Sequence, residues 1–363
     1  MSLPLKRSPR EVARALQTWL ARLPADWPPA DPETTRFCRQ RLEMFANEAL
    51  LAAKLTSDLG SRSWRPLGHV LAVISENDHM GVVAALVAAA LTGNRLTLKS
   101  RTGRAALESL RDALAWDETV CRIADWDSRA QNDEAVLDGV DAIVAAGSAS
   151  LIRHYRRTAA PSVRLIEYGP QMSAAYIAVW PDSAAEQTAC IDALVRDTTL
   201  FLQNVCSSPQ FVLVPDKAVA RALFLALATR LSALPRLPDE IRLQQSIKAQ
   251  ELRLLARLAK ADEANELAID TATGWAVACA PGDPSLWLPR GFRLIIGNVD
   301  TLRKSFPPLQ TLGIWPSPEN SPEAETALHC CRLGRMHERP ATAPHDGQLE
   351  LAQWVRFVSS DPS

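Results

Sequence analysis

The run Val70-Leu71-Ala72-Val73-Ile74, then Gly81-Val82-Val83-Ala84-Ala85-Leu86-Val87-Ala88-Ala89-Ala90-Leu91, then Arg95-Leu96-Thr97-Leu98-Lys99, decides the fold. The first segment is continuously apolar, as a strand covered on both faces of a parallel sheet must be. The second is alanine-rich and shorter than the about 20 residues a bilayer span requires, so it reads as a buried helix. The third again suits a strand. Strand, helix, strand in this order predicts a doubly wound α/β sheet. Further along, the pattern predicts a helix over roughly 103–115, a strand at Cys121-Arg122-Ile123-Ala124 and another at Asp141-Ala142-Ile143-Val144-Ala145-Ala146. Gly147-Ser148 closes that strand and a helix follows from Ala149. Ligands of such sheets sit beyond the carboxyl ends of the strands.

Upstream, residues 9–60 read as helical with a break from Pro24 to Pro32. Downstream, a second α/β unit starts near residue 170. Its strands are expected at 174–179, 210–214 and 294–296, and its helices at 183–202, 216–233 and 238–260. Residues 270–289 are rich in turns and aromatic residues, and a closing helix is expected over 349–358.

A chain of 363 residues with 47% hydrophobic and 22% charged residues has room for two or three domains with sizeable cores. Its net charge of −1 argues against nucleic acid or an anionic membrane surface as an electrostatic partner. The seven cysteines are odd in number and irregularly spaced, which predicts reduced thiols and a cytoplasmic setting. The basic start, Met1 to Arg7, leads to no apolar signal segment, and no membrane span is expected. His329-Cys330-Cys331 with His337 brings soft ligands together in sequence. Adjacent cysteines chelate one ion poorly and no Cys-x-x-Cys spacing occurs, so the reading is local packing and no metal. Neither a G-x-G-x-x-G turn nor a P-loop follows any expected strand, so a nucleotide, if bound, is held in another way.

Five stretches carry side chains suited to chemistry. Cys206-Ser207-Ser208-Pro209 places a thiol between a helix and a strand; it is either a nucleophile or one of the many cysteines that serve as buried packing. Ser75-Glu76-Asn77-Asp78-His79, Lys99-Ser100-Arg101 and Gly147-Ser148 follow expected strands, and Ile166-Glu167-Tyr168-Gly169-Pro170 stands at the junction of the two halves. Singly, each has an ordinary reading: Asn77 as a turn former, Lys99 as a solvated charge, Gly147-Ser148 as a helix cap, Glu167 as a surface carboxylate.

As an ordered series they resemble the aldehyde dehydrogenase superfamily. It has an asparagine after the first strand, an Ala-Leu-x-x-Gly-Asn segment leading to a strand that ends in lysine, a Gly-Ser turn, a Glu-Leu-Gly-Gly segment and, some tens of residues later, the nucleophilic cysteine. Here these are Asn77, Ala90-Leu91-Thr92-Gly93-Asn94 through Lys99, Gly147-Ser148, Glu167-Tyr168-Gly169-Pro170 and Cys206. Cys206-Ser207-Ser208-Pro209-Gln210, Leu309-Gln310-Thr311-Leu312-Gly313-Ile314, His345-Asp346-Gly347 and Leu351 to Val358 resemble more closely the LuxC-type acyl-CoA reductases. The likeness covers roughly residues 60–360. Departures are Pro170 in place of the second glycine and the lack of a Glu-x-Phe-Gly-Pro run.

The resemblance implies two doubly wound Rossmann-like lobes with a cleft between them. It implies an N-terminal helical segment (1–60), a cofactor-binding domain (61–168 with about 315–363) and a catalytic domain (169–314). It further implies NADPH-dependent reduction of a fatty acyl-CoA, or an acyl-protein thioester, to the aldehyde through an acyl-Cys206 intermediate. Asn77 and the Cys206 N–H would stabilise the oxyanion, each such donor being worth about 3 kcal/mol. Glu167 would be either a water-activating base or a group that only orients the thiol or shuttles a proton. Lys99, Ser100, Arg101, Gly147, Ser148 and Gly169 would hold the cofactor. Thr102, where an acidic residue would suit a free ribose 2′-hydroxyl, with Arg101 and Arg104 nearby, favours NADPH. An acyl-protein synthetase or acyl carrier is the implied partner, and the oligomeric state stays open. Other readings on the same scaffold are an assembly subunit of an acyl-reductase complex and an oxidative aldehyde dehydrogenase. Residues 275–287 are either an acyl tunnel or core.

Overall fold

The chain divides into two units, Met1–Pro170 with Pro340–Ser363, and Gln171–Arg339. The computed structural model describes residues 6–75, 77–101, 103–126, 133–258, 266–279, 288–298, 309–319 and 325–359. Glu76, Thr102 and residues 280–287 therefore lie outside the described residues.

Three capped helices open the first unit: α1 (Pro9–Leu20), α2 (Pro32–Phe45) and α3 (Glu48–Leu59). At α1, Ser8 Oγ accepts the Glu11 N–H while the Glu11 carboxylate accepts the Ser8 N–H, a reciprocal cap that satisfies two otherwise orphaned donors. The helices are not a segment apart, as the sequence suggested for 1–60. Val12, Leu16, Trp19, Leu42 and Leu51 are buried in one core with Val70, Leu86 and Leu96. The Trp19 indole N–H donates to the Ala106 carbonyl at 2.8 Å.

Strand β1 (Trp64–Pro66) pairs antiparallel with Val355–Phe357 near the C-terminus. That pairing corrects the expected closing helix, of which only Glu350–Gln353 is helical. The main sheet comprises β2 (His69–Ile74), β3 (Arg95–Lys99), β4 (Cys121–Ala124), β5 (Ala142–Ala146) and β6 (Arg164–Tyr168). Its order is β4-β3-β2-β5-β6, parallel throughout. The connections carry α4 (His79–Thr92), α5 (Arg104–Ala113), α6 (Asp133–Leu137) and α7 (Ala149–Thr158). Asn94 in the Thr92-Gly93-Asn94 segment is structural. Its side chain accepts the Gly68 N–H and donates to Thr92 Oγ1 and the Trp354 carbonyl, tying the end of α4 to both ends of the unit.

Among the described residues the second unit holds seven strands: β7 (Ser173–Ile177), β8 (Pro209–Val214), β9 (Glu266–Ile269), β10 (Ala276–Cys279), β11 (Phe292–Ile296), β12 (Leu309–Trp315) and β13 (Ala327–Arg332). The order is β13-β12-β7-β8-β11-β10-β9, and only β9 runs antiparallel to its neighbour. Its helices include α8 (Ala184–Thr199), α9 (Lys217–Ala228) and α10 (Asp239–Leu258). Leu194, Leu223, Val214, Trp275 and Leu294 share its larger core. Because β13 pairs with β12, the chain returns to the first unit at residue 340 rather than near 315. Among the described residues no helix is long and apolar enough to cross a membrane.

Candidate active site

In the second unit Cys206 lies just ahead of β8, reached through an unusual turn. After α8, Phe201 (φ 57°), Leu202 (φ 49°) and Gln203 (φ 55°) are all left-handed. Such backbone costs about 1–3 kcal/mol per non-glycine residue unless its surroundings fix it. Gln203 supplies much of the fixing. Its buried amide donates to the Pro209 carbonyl (2.7 Å) and the Gly291 carbonyl (2.9 Å), and its Oε1 accepts the Gly291 N–H (2.7 Å). Gly291 has φ 138°, and a Cβ there would stand 2.2 Å from the Ala276 carbonyl oxygen, so only glycine fits.

The turn delivers an exposed thiol. Cys206 Sγ accepts a hydrogen bond from Gln310 Nε2 at 3.1 Å, and the Cys206 carbonyl accepts one from Ser173 Oγ at 2.6 Å. Ser173 opens β7 and Gln310 is the second residue of β12, so the thiol stands at the amino-terminal edge of the sheet. Ligand placement beyond the carboxyl ends of strands does not extend to it. Next to it, Ser207 Oγ lies 2.8 Å from His337 Nδ1, while His337 Nε2 lies 2.8 Å from the Asp197 carbonyl oxygen. A carbonyl only accepts, so Nε2 carries the proton and Ser207 donates to Nδ1. Burial pushes the His337 ring down to about 4, leaving it neutral near pH 7. Burial pushes the Asp197 carboxyl up to about 7, although it accepts the Gly334 and Met336 N–H groups. His337, read from sequence as one of a soft-ligand group, is thus an anchor of the cysteine loop. Among the described residues no three His, Cys, Asp or Glu side chains gather as metal ligands.

In the first unit the remaining expected residues all lie at the carboxyl-terminal side of the sheet. Asn77 is exposed in the turn after β2, and Asp78 behind it caps α4 by accepting the Gly81 N–H at 2.7 Å. Lys99 closes β3 in register with Val73, whose side chain packs in one core with Ile152 and Tyr155 of α7. The Lys99 ammonium lies 4.9 Å above the Trp126 ring. Ser100 is buried, its N–H extending the ladder to the Ala124 carbonyl, and lines a small pocket with Trp27 and His79. Arg101 pairs with Asp125 at 3.3 Å and Arg104 with Glu108 at 2.8 Å. Both guanidinium groups are exposed, and such surface pairs are worth about 0–1 kcal/mol.

Gly147 (φ 154°) makes the turn out of β5, and Ser148 caps α7 by accepting the Leu151 N–H. The open amino end of α7 and Lys99, set on the α7 side of the sheet, suit a negatively charged dinucleotide backbone. The residues present fit such a cofactor. Gly169 follows β6, where an added Cβ would meet only Ile152 Cγ1 at an ordinary 3.9 Å. Glu167 is paired in this structure. Both its oxygens are held by the Arg156 guanidinium, through Nε (2.5 Å to Oε1) and through Nη2 to Oε2. The pair joins α7 to β6, and the carboxylate in turn pushes the guanidinium up. Tyr168 beside it stacks on His345 (4.6 Å between centroids), which stands in the expected Asp-Gly turn. Trp275, weighed for an acyl tunnel, is fully buried core.

Gln310, His337, Gln203, Ser173 and Arg156 were missed as site residues. Gln310 left a trace as a polar residue within a largely apolar strand, and His337 as a member of the soft-ligand group.

The fold is that of the aldehyde dehydrogenases. The NADP complex of glyceraldehyde-3-phosphate dehydrogenase GapN from Methanocaldococcus jannaschii matches with a TM-score of 0.69 at 14% identity, over 96% of this chain and 88% of that one. Aldehyde dehydrogenase 21 from Physcomitrella patens, in complex with succinate, matches at 0.70 and 11% identity over 96% and 85%. An oxidoreductase from Marinobacter aquaeolei matches at 0.70 and 15% identity over 98% and 86%. No curated protein matches the chain. Residues 40–357 match the acyl-CoA reductase (LuxC) family, and the chain belongs to it. It is an oxidoreductase that acts on an aldehyde or acyl group.

Proposed function

We propose that the protein reduces a fatty acyl-CoA, or an acyl-protein thioester, to the aldehyde through an acyl-Cys206 intermediate, with NADPH as reductant. The observation that carries this reading is the state of the seven free cysteines. Cys206 alone is exposed, whereas burial pushes the thiols of Cys38, Cys121 and Cys190 up to about 12. The thiolate is the nucleophile, so an exposed thiol with a polar hydrogen-bond partner is the one suited to attack.

Cys206 attacks the thioester carbonyl, forming a new S–C bond, and the C–S bond to CoA breaks to release the CoA thiolate, which takes a proton from solvent. The reduced nicotinamide, when bound, supplies a hydride. Once the acyl carbon has gained that hydride, its bond to Cys206 breaks, freeing the aldehyde and the thiolate. The second unit supplies the nucleophile and the first holds the cofactor. Lys99 binds the adenosine ribose or its phosphate, and Gly147 and Ser148 sit along the dinucleotide, with Ser100 and Gly169 as backbone positions beside it. Arg101 and Arg104 exchange their carboxylate partners for a 2′-phosphate, which favours NADPH. Asn77 serves as the oxyanion donor together with the Cys206 N–H. The pairing with Arg156 favours an anchoring role for Glu167 over a water-activating one, which suits a reductase, for which hydrolysis of the acyl-enzyme wastes substrate. The free cysteines suit a cytoplasmic setting, and an acyl-protein synthetase or acyl carrier is the partner that would deliver the thioester.

The test is a series of acyl-CoA chain lengths with NADPH consumption as readout, on wild type and Cys206→Ala. The expected result is aldehyde formation by wild type, covalent acylation at Cys206, and loss of both in the variant. Acylation elsewhere, or turnover retained in Cys206→Ala, overturns the reading.

A further inference from the structure

We propose that Gln310 is a second catalytic residue, a neutral amide that donates to the Cys206 sulfur and stabilises it as the thiolate. The inference takes the thiol's purpose from the reductase reading, but the contact stands without it.

The Nε2 to Sγ distance is 3.1 Å. A protonated thiol is a weak acceptor, whereas a thiolate accepts strongly, so a donor fixed at this distance favours the charged form. The strand that carries the donor is held in place. Gln310 is 5% exposed, and its backbone N–H donates to the Met172 carbonyl at 2.8 Å. The next residue, Thr311, donates its N–H to Ser173 Oγ at 3.2 Å, and Ser173 Oγ donates in turn to the Cys206 carbonyl. One two-residue step of β12 therefore holds the cysteine at its sulfur and, through Ser173, at its main chain. The amide reaches the sulfur from a buried position while the thiol itself faces outward, as an arriving electrophile requires.

The imidazole beside the loop does not take this role. Both His337 ring nitrogens are engaged, by Ser207 and by the Asp197 carbonyl, and the ring is neutral. A cysteine activated by a neighbouring imidazolium would need that ring at the sulfur. Here the ring serves Ser207, and the group at the sulfur is an uncharged amide.

The experiment measures alkylation of Cys206 by iodoacetamide against pH, without acyl-CoA or nicotinamide, with peptide mapping to separate Cys206 from the other thiols. It compares wild type with Gln310→Met and Gln310→Glu. Removing a hydrogen bond to a charged group should slow alkylation near pH 7 by roughly ten- to a hundredfold and move the profile to higher pH. The Glu variant, which sets a like charge against the thiolate, should react more slowly still. Equal rates, within about twofold, in three folded proteins overturn the proposal. Should the variants fail to fold, wild type labelled with ¹⁵N-glutamine answers the same question. One side-chain amide resonance must move with the alkylation profile and stay still in Cys206→Ala; no such resonance overturns it. Because no thioester or cofactor is present, failure here is distinct from failure of the NADPH screen.

Discussion

Replacing Gln203 by leucine tests whether the left-handed turn is held from within. The side chain makes three contacts with buried backbone: the Pro209 carbonyl, the Gly291 carbonyl and the Gly291 N–H. Leucine has a similar volume but no polar atom, so all three backbone groups lose their partner at once. A buried polar group left without one costs about 1–3 kcal/mol. Shared over two carbonyls, which accept poorly aligned substitutes more readily than an N–H finds one, the loss should total roughly 3–6 kcal/mol. That is a large part of the 5–15 kcal/mol typical of a folded domain. The urea midpoint of the second unit should fall by roughly 1–3 M at unchanged slope, and the Gly291 amide should exchange with solvent far faster. The variant should also lose reaction at Cys206 by more than its stability explains, because the three left-handed residues then relax and carry the thiol away from Gln310. A loss below about 1 kcal/mol, with Gly291 still protected, would refute the reasoning.

Two further outcomes follow from the ionisable groups. Asp197 is pushed from 3.8 up to about 7, so the stability it contributes is fully present below 3.8 and is lost as pH rises through 7. His337 is pushed from 6.5 down to about 4, so its contribution is present above 6.5 and is lost as pH falls through 4. The two slopes oppose one another between pH 4 and 6.5. In Asp197→Asn only the histidine slope remains, so stability relative to wild type should climb with pH by roughly 1.4 kcal/mol per unit. Urea titrations at pH 4.5, 5.5 and 6.5 check this, and parallel curves for the two proteins would sink it. Separately, Glu167→Gln should keep thioester reduction within about threefold, since Arg156 already engages the carboxylate. A fall of a hundredfold or more, the usual worth of a general base, would restore Glu167 to acid–base chemistry.

The first sheet was legible because its central strands carry one unbroken message. Val70 to Ile74 are buried and apolar without interruption, and Leu96 and Leu98 repeat the signal in β3. The second sheet was half legible. In β12 every residue from Leu309 to Trp315 is buried, yet Gln310, Thr311 and Gly313 interrupt the apolar run. Only the surrounding strands make those positions interior. The segment Val355–Phe357 reads as helix by its spacing and becomes a strand because Trp64–Pro66 offers it a partner almost three hundred residues away. Cys206, Asn77, Lys99 and Gly147-Ser148 were visible as residue types in order, but their supports were not. Phe, Leu and Gln have no preference for left-handed backbone, so nothing in Phe201-Leu202-Gln203 announces the turn. Arg156 and Glu167 meet only because α7 lies back along β6.

The supports missed by sequence are also those that make a cysteine loop useful for thioester chemistry. The sulfur must be exposed, yet a flexible exposed loop would forfeit the near-attack geometry that accounts for much of such catalysis. The chain resolves that conflict by fixing the loop from parts distant in sequence: Gln203 with Gly291, Ser173 at the Cys206 carbonyl, His337 at Ser207 and Gln310 at the sulfur. None of these anchors carries a formal charge near pH 7, His337 being neutral through burial. Charged anchors would have to be desolvated, and a positive one would bind the anionic CoA leaving group as firmly as it binds the attacking thiolate. In the proposed reaction, neutral donors with fixed geometry would stabilise the thiolate while it waits and lose little when an acyl group replaces its charge. The backbone strain between Phe201 and Gln203 is held by the Gln203 contacts to Pro209 and Gly291, none of which involves the Cys206 sulfur, so in the proposed reaction the loop would keep its shape whether that sulfur is free or acylated.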